Sequence, residues 1–112
     1  MKKGIIATSC FGAILIVAGA RVFAAAPAGD AEKGKAVFED TCAPCHSADT
    51  DEKKVGPGLK GLFKKEKLKN GKKPTEGNIK AIINAGGNGM PAYSDMLSDE
   101  ERDNVLAYLK TL

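Results

Sequence analysis

The stretch TCAPCHS, residues 41–47, decides how this sequence is interpreted. It contains two cysteines three positions apart, Cys42 and Cys45, and the second is followed directly by His46. His46 is the only histidine of the 112 residues, and the one other cysteine lies in an apolar run near the amino end. A Cys-x-x-Cys-His sequence suits four arrangements: a zinc site, a redox-active dithiol, a structural disulfide or a covalently bound haem. The surrounding features discriminate among the four.

The first 24 residues have the pattern of a secretory signal peptide. Two lysines precede an uncharged run of 17 residues, positions 4–20, and small residues follow it. Cleavage after Ala24 leaves alanine directly before the cut. The alternative is a retained membrane anchor, for which the run is at the lower limit of the roughly 17–25 residues that a spanning helix needs. We predict export to the periplasm, removal of residues 1–24, and a mature domain of residues 25–112 without a membrane span.

The mature chain is electrically neutral but strongly dipolar. The formal net charge of +3 comes from three basic residues that precede position 25. Residues 53–80, the lysine-rich segment, contain ten lysines and two glutamates, and the segments on both sides are acidic. The segment lacks arginine and interleaved aromatic side chains, so nucleic-acid binding is not predicted. The lysine-rich segment is instead expected to be a docking face through which a monomer binds protein partners, or a solvated face that maintains solubility.

Hydrophobic spacing predicts an all-α domain without β-strands. Asp30 is the expected N-cap of a helix over AEKGKAVFEDTC. Gly34 in that helix costs about 1 kcal/mol relative to alanine, so a close neighbouring helix is expected there. Thr75 is expected to cap a second helix over EGNIKAIINAG. Ser98 and Glu101 form a capping box that opens a third helix reaching the C-terminus.

The connections between these helices are rich in glycine or lysine. SADTDEKKVGPGLKG is predicted to be a loop with a turn at residues 56–58. A short, weakly determined helix is predicted over LFKKEKLKNGKK, ended by Asn70 and Gly71. The GGNG sequence at residues 86–89 is expected to end the second helix and to begin a mobile loop leading to MPAY.

Covalent haem attachment accounts best for Cys42, Cys45 and His46. A structural zinc ion usually takes four ligands, whereas the mature chain supplies three cysteine or histidine residues. A redox dithiol is typical of a helix N-terminus beside a sheet, and a disulfide here closes a very small loop and stabilises little. Two thiols on one turn can reach two carbons on one porphyrin edge, and the next residue then offers an imidazole to the iron. Behind an export signal, the pattern predicts haem c.

Two further residues complete the predicted site. The mature chain has two methionines and no second histidine, so the second axial iron ligand is expected to be a thioether. Met90, between a glycine-rich loop and Pro91, is the preferred candidate, with lysine or water as alternatives. Met96 is the less favoured ligand candidate and is expected to be a core residue. A ligand histidine generally donates its other ring N–H to a carbonyl, and Pro57 offers one, unless this proline only shapes its turn.

The chain resembles the class I c-type cytochromes, in particular the small single-haem bacterial ones. The resemblance covers residues 30–112 and rests on four motifs in the family's order: GKAVFEDTCAPCH, GPGLKG, GMPAY and LSDEERDNVLAYLKTL. It implies the cytochrome c fold, in which the N- and C-terminal helices cross around one covalently bound haem. In that crossing, Gly34 and Phe38 are expected to meet Val105 and Tyr108.

The resemblance also implies a role for each site residue. Cys42 and Cys45 would form the thioether links, His46 the proximal iron ligand, Pro57 its carbonyl acceptor and Met90 the distal ligand. With both axial positions filled, the protein would be an electron carrier and not an enzyme, exchanging one electron with redox proteins that dock at the haem edge. The alternative is a haem enzyme, or a sensor of gas or peroxide, with a labile Met90. Partner-contact residues are not transferred to the lysine-rich segment, because that segment varies in such proteins.

Overall fold

Three α-helices joined by loops make up residues 29–112, the part of the chain that the computed structural model describes. The predicted leader, residues 1–24, lies outside it. The helices are α1 (Ala31–Val37), α2 (Glu76–Ala85) and α3 (Asp99–Leu109); α1 continues as a π-helical stretch, Phe38–Cys42, and a 3₁₀ turn covers Leu62–Lys64. Residues 29–112 contain no strand, only an isolated bridge between Gly87 and Met90, so the all-α prediction is confirmed. No helix in this part of the chain combines the length and apolar character needed to cross a membrane.

Each α-helix begins at the side-chain cap that the sequence predicts. The Asp30 carboxylate and the Thr75 hydroxyl accept hydrogen bonds from backbone N–H groups in the first turn of their helices. Ser98 and Glu101 form the reciprocal capping box of α3. These caps satisfy amide groups that the first helical turn leaves without partners. α3 ends at Leu109, earlier than the predicted C-terminal end, and a turn follows it.

α1 crosses α3 at very close approach, which explains the glycine in α1. A Cβ atom at Gly34 would overlap the backbone carbonyl oxygen of Asn104, so only glycine allows the helices to come this near. The rings of Phe38 and Tyr108 pack in a tilted arrangement with their centroids 5.3 Å apart. Gly34 also faces the backbone nitrogen of Val105. The predicted crossing of the first and last helices is therefore confirmed.

The hydrophobic core lies between the helices and the loop that precedes α2. Its buried side chains are Phe38, Leu62, Ile79, Ile83, Tyr93, Val105, Leu106 and Leu109. Full burial of an apolar side chain of this size contributes roughly 1.5–3 kcal/mol, so these few residues form only a small core. Cys42 and Met90 are among the partly buried groups that pack against this core. The candidate site therefore borders the core directly.

Polar contacts around a buried arginine attach α2 to α3. Arg102 is only 7% exposed. Its guanidinium donates hydrogen bonds to the side-chain oxygens of Asn84 and Asp99, both at 2.5 Å. Lys80 of α2 adds an ion pair with Asp103 of α3 at 2.7 Å. Asn84 lies in the last turn of α2, so these contacts hold the end of the helix from which the next loop departs.

The helix predicted over LFKKEKLKNGKK is wrong for most of its length. Only Leu62–Lys64 forms a helical turn, and the chain then reverses where the Leu68 N–H donates to the Lys72 carbonyl at 2.7 Å. Residues 64–69 contain four lysines and one glutamate, so a helix would bring like charges together and bury little apolar surface. The Asn70-Gly71 pair, which was expected to end a helix, instead completes this turn, with a φ of 81° at Gly71.

Candidate cofactor site

Cys42, Cys45 and His46 share one turn of backbone directly after the π-helical stretch. That stretch ends at Cys42, whose carbonyl accepts from the N–H groups of Cys45 at 3.0 Å and of His46 at 2.9 Å. The Ala43 N–H reaches back to the Phe38 carbonyl at 2.8 Å, which closes the wider π-helical turn. Such turns are frequent at functional sites. Both thiols are half-buried, and no disulfide joins them.

The Cys42 thiol is poorly suited to redox exchange. Its burial, followed in importance by the charge of nearby Cys45, raises the pKa of Cys42 to about 11. A redox-active dithiol works through a thiolate stabilised near neutral pH, so this shift opposes such chemistry. The zinc hypothesis requires a cluster of at least three His, Cys, Asp or Glu side chains able to hold a metal ion, and residues 29–112 contain none. Both thiols are thus unpaired, and Cys42 packs against the apolar core.

The ring of His46 is oriented by the loop that follows it. Its Nδ1 lies 2.8 Å from the carbonyl oxygen of Pro57. A carbonyl oxygen can only accept, so Nδ1 carries the proton, and in the neutral ring Nε2 keeps a free lone pair. Gly56 packs against the same ring, and a Cβ atom there would overlap the imidazole carbon Cε1. This is the arrangement in which an imidazole can bind a metal while a carbonyl supports it from behind.

Backbone hydrogen bonds return this loop to the Cys-x-x-Cys turn. The Gly56 N–H donates to the Cys45 carbonyl, and the Leu59 N–H donates to the Ser47 carbonyl, each at 2.8 Å. These bonds close the loop over His46. The sequence predicts a turn at Gly56 but contains no signal for its contact with the imidazole, because that contact depends on how the whole loop folds back.

Met90 ends a two-residue hairpin turn. Gly87 and Met90 exchange two backbone hydrogen bonds of 2.9 and 3.0 Å around Asn88 and Gly89. Both central residues have positive φ, 52° at Asn88 and 89° at Gly89, as in the type I′ turn that favours Asn-Gly. Gly86 precedes the turn, and a Cβ atom there would overlap the Met90 carbonyl oxygen. The glycine-rich run, from which the sequence predicts only a loop, therefore forms a defined turn that presents Met90.

Tyr93 is a further residue beside the site, and no motif in the sequence assigns it a role. Its backbone N–H donates to the Ile83 carbonyl in α2 at 2.9 Å, and its ring is buried in the core. Burial raises the pKa of the Tyr93 hydroxyl, and the charges of Cys42 and Cys45 raise it further. Cys42 and Met90 both pack against the core cluster to which Tyr93 belongs. The only hint of its position in the sequence is that Tyr93 is an aromatic residue close to the candidate ligand Met90, at the end of GMPAY.

The second methionine, Met96, is 63% exposed, so its expected core position is wrong. Its N–H donates to the Tyr93 carbonyl at 3.2 Å in the turn that precedes α3, and the side chain extends from this turn into solvent. Met90 instead is half-buried against the core. A buried iron ligand must contact the interior of the protein. Met90 does so and Met96 does not.

A surface cavity of about 430 Å³ borders His46, Ala43 and Tyr108. Of the candidate site residues only His46 lines it, so this cavity does not bring the site together. Cys42 and Met90 pack instead against the core, as do the partly buried side chains of Leu59, Phe63, Leu68 and Leu97.

Comparison with known proteins identifies the class to which the chain belongs. The family model for cytochrome c matches residues 31–112. A cytochrome c6 from Bryopsis maxima is 41% identical over 83 residues, which cover 72% of this chain and 90% of that protein. A cytochrome c2 from Rhodospirillum rubrum is 33% identical over 139 aligned positions, covering 100% of this chain and 99% of that protein. The solved structure of a cytochrome c6 from the diatom Phaeodactylum tricornutum matches with a TM-score of 0.58 and 34% identity, covering 74% of this chain and 93% of that one.

This chain belongs to the cytochrome c family, and the class inferred from its motifs is confirmed. It has the cytochrome c fold and carries electrons by means of a covalently bound, iron-containing haem c.

The residues present fit such a group. Two unpaired thiols stand on one turn, the His46 ring has Nε2 free while Nδ1 is held, and the thioether of Met90 packs at the edge of the core. The half-buried apolar side chains on the same core offer surface that a large apolar group covers favourably.

Proposed function

We propose that this protein is a periplasmic one-electron carrier whose haem iron takes two ligands from the chain, His46 and Met90. Cys42 and Cys45 form the two thioether links, and Pro57 accepts a hydrogen bond from the proximal imidazole. The haem, when bound, supplies a one-electron iron couple. With a protein ligand on each side of the iron, no coordination position is open to a substrate. The protein therefore transfers electrons and does not act as an enzyme.

The observation that carries this proposal is the 2.8 Å contact between His46 Nδ1 and the Pro57 carbonyl. Because Nδ1 holds the proton, Nε2 is the ring nitrogen with a lone pair to offer to iron. The same hydrogen bond holds the ring in one orientation and increases its basicity as a ligand. On the other side, the hairpin turn limits the positions open to Met90, whose thioether raises the reduction potential by favouring ferrous iron.

Paired substitution of the two methionines tests the distal ligand. Met90→Ala should abolish the weak far-red absorption band of the oxidised protein that His–Met ligation produces in this family. It should also lower the reduction potential, because the thioether that favours ferrous iron is lost. Met96→Ala is the matched control, since it removes an exposed thioether, and it should leave the band and the potential unchanged. A Met90 variant that keeps both properties contradicts the assignment.

The hairpin turn also favours the carrier over a haem enzyme or a sensor of gas or peroxide. Those functions need Met90 to leave the iron readily, whereas two hydrogen bonds close the turn directly before it. Addition of carbon monoxide to the reduced protein distinguishes the two. The carrier is expected to keep its spectrum, and rapid binding of the gas would favour the sensor or enzyme.

A single intact-protein mass measurement on the periplasmic fraction tests export, leader removal and haem attachment together. Intact protein isolated from the periplasmic fraction should have the mass of residues 25–112 plus one haem. A mass that includes residues 1–24 contradicts cleavage after Ala24 and favours a membrane anchor. A mass without haem contradicts the two thioether links. Sedimentation of the same sample should give a monomer.

The lysine-rich segment is the proposed docking face for redox partners. Two of its lysines are paired with carboxylates, Lys65 with Asp51 at 2.9 Å and Lys80 with Asp103 at 2.7 Å. The hydrogen bond and charge of Lys65 lower the pKa of the Asp51 carboxyl. The other eight have no such partner within residues 29–112. Unpaired positive charge of this kind attracts an acidic surface and accelerates encounter at low ionic strength.

A further inference from the structure

We infer that Asn88, in the turn before Met90, is a site of intramolecular deamidation, and that the same chemistry is suppressed at the other Asn-Gly pair of the chain. Asn-Gly occurs twice, at residues 88–89 and at residues 70–71. Glycine has no side chain, so its backbone nitrogen can approach the preceding side-chain amide without hindrance. The two pairs consist of the same residues but differ in their neighbours along the chain and in the hydrogen bonds that hold the reacting atoms.

In the proposed step, the Gly89 backbone nitrogen attacks Cγ of Asn88. A bond from this nitrogen to Cγ forms and gives a cyclic succinimide. The bond between Cγ and the side-chain nitrogen breaks, and ammonia leaves with the proton from the Gly89 N–H. Water then hydrolyses one of the two ring carbonyls. The product is aspartate, or isoaspartate in which the main chain runs through Cγ. Water is the only co-reactant, and nothing is oxidised or reduced.

The reacting atoms at Asn88 are not held by hydrogen bonds. Both residues of the pair are exposed. The Gly89 N–H has no acceptor among residues 29–112, because the two bonds of the turn belong to Gly87 and Met90. The chain contains five asparagines. Within the described residues, four of them form side-chain hydrogen bonds: Asn70, Asn78, Asn84 and Asn104. Asn88 is the exception.

At Asn70 the attacking backbone N–H and the side-chain amide both form hydrogen bonds. The Gly71 N–H donates to the Leu68 carbonyl at 2.9 Å. The side-chain oxygen of Asn70 accepts from the Lys72 N–H at 3.0 Å. Attack by the Gly71 nitrogen requires both bonds to break and the turn to open. The folded protein therefore slows the reaction at Asn70 and leaves it available at Asn88.

The consequence for the site rests on Met90 as the distal ligand proposed above. Isoaspartate adds one backbone atom and a negative charge between Gly87 and Met90. A two-residue turn that contains an extra backbone atom cannot keep the paired hydrogen bonds of Gly87 and Met90, so the thioether moves away from its place at the core edge. Aspartate at the same position adds the charge but leaves the backbone unchanged. Isoaspartate at residue 88 therefore weakens the distal ligand selectively.

Timed peptide mapping of the haem-loaded protein tests the modification itself. The protein is kept in mildly alkaline buffer, and the amide, aspartate and isoaspartate forms of both Asn-Gly peptides are quantified by mass spectrometry. We expect Asn88 to convert at least about tenfold faster than Asn70, which corresponds to about 1.4 kcal/mol in the barrier. In denaturant the two rates should become similar. Equal rates in the folded protein, or an Asn88 peptide that persists while the unfolded chain reacts, would overturn the inference.

Three variants separate the modification from its effect on the ligand. Asn88→Gln blocks ring closure, Asn70→Gln is its matched control, and Asn88→Asp adds the charge without the extra backbone atom. After return to neutral pH, the far-red band should decline in parallel with isoaspartate in the parent and in Asn70→Gln. It should persist in Asn88→Gln, and in Asn88→Asp for as long as the peptide map shows aspartate and not isoaspartate, because Asp-Gly closes the same ring with loss of water, only more slowly. Isoaspartate formation without loss of the band overturns the effect on Met90. The assignment of Met90 as ligand is tested separately, because Met90→Ala would keep the far-red band if that assignment were wrong.

Discussion

The guanidinium of Arg102 donates a 2.5 Å hydrogen bond to the side-chain oxygen of Asn84 and so joins the first turn of α3 to the last turn of α2. The backbone carbonyl of Asn84 accepts, at 3.4 Å, from the N–H of Ser94, on the far side of the Met90 turn. Gly86, where α2 ends, directly precedes that turn. Both ends of the loop that carries Met90 are therefore tied to a helix that a buried charge holds in place.

Loss of this charge should destabilise the whole domain. Arg102→Ala is expected to lower the free energy of unfolding by about 2–4 kcal/mol, because each hydrogen bond to a charged group contributes about 1.5–3 kcal/mol and Asp99 can be rehydrated. The midpoint of urea unfolding of the haem-loaded protein measures the effect. Arg102→Lys should recover part of the loss. Lysine keeps the positive charge but lacks the planar guanidinium, whose several N–H groups bond two acceptors at once.

A surface lysine provides the comparison for Arg102. Lys33 approaches Glu100 at 4.0 Å, and both side chains are largely exposed. Lys33→Ala should change the free energy of unfolding by less than about 1 kcal/mol. If the Arg102 and Lys33 variants unfold at the same urea concentration, the buried contacts contribute no more than an exposed pair.

Two glycine-to-alanine substitutions should have opposite effects. Gly34→Ala brings a methyl group into the Asn104 carbonyl, so the helices must separate, at a cost of about 1–3 kcal/mol. Gly77→Ala in α2 meets no atom within 4 Å and should stabilise by up to about 1 kcal/mol, because alanine restricts the unfolded chain. Thermal unfolding of both variants measures the difference. A Gly34 variant as stable as the parent contradicts the close helix crossing.

Removal of both thiols should leave the chain largely unfolded. The Cys42→Ala, Cys45→Ala double variant cannot link the haem, and a domain with so few buried side chains depends on a bound group for much of its core. Far-ultraviolet circular dichroism should show a large loss of helix. Pro44→Ala, which changes the residue between the thiols and keeps both, should retain haem and helix. A cooperative, native-like melt of the double variant contradicts this dependence.

The rate of association with an acidic redox partner should fall as ionic strength rises. Changing Lys67, Lys69 and Lys72 to glutamine should lower the rate at low salt by about tenfold, since steering of this kind raises rates by about 10–10³-fold. The control changes Lys33 and Lys35, which lie near carboxylates in exposed pairs, and should have a smaller effect. Stopped-flow electron transfer measures both. A rate that does not depend on salt rules out the lysine-rich segment as a docking face.

Local signals in the sequence were sufficient to predict the helices, whereas the crossing of the first and last was implied by the resemblance to the c-type cytochromes. Asp30, Thr75 and Ser98 each cap a helix through contacts with residues two or three positions away, and such contacts are encoded locally. Gly34 was informative for a different reason. A glycine inside a helix is unfavourable unless something lies against it, and Asn104 of α3 does.

Features that depend on distant contacts were not predictable in this way. The turn at Leu68 replaced a predicted helix because the lysines around it have no apolar face to bury. Gly56 and Tyr93 belong to the site only because their loops fold back, onto the imidazole in one case and toward both thiols in the other. The position of Met96 depends on where the turn before α3 directs it.

The contact between Gly34 and Asn104 also has a consequence for folding, because it joins distant parts of the chain. These residues are 70 positions apart, and closing a loop of that length is slow compared with forming either helix. α1 therefore lacks its main packing surface until the last helix of the chain is present. Cys42 follows α1 almost immediately and packs against a core that α3 helps to form, so its burial awaits the same helix. A chain truncated before α3 would retain its attachment motif and lose the helix that completes the domain.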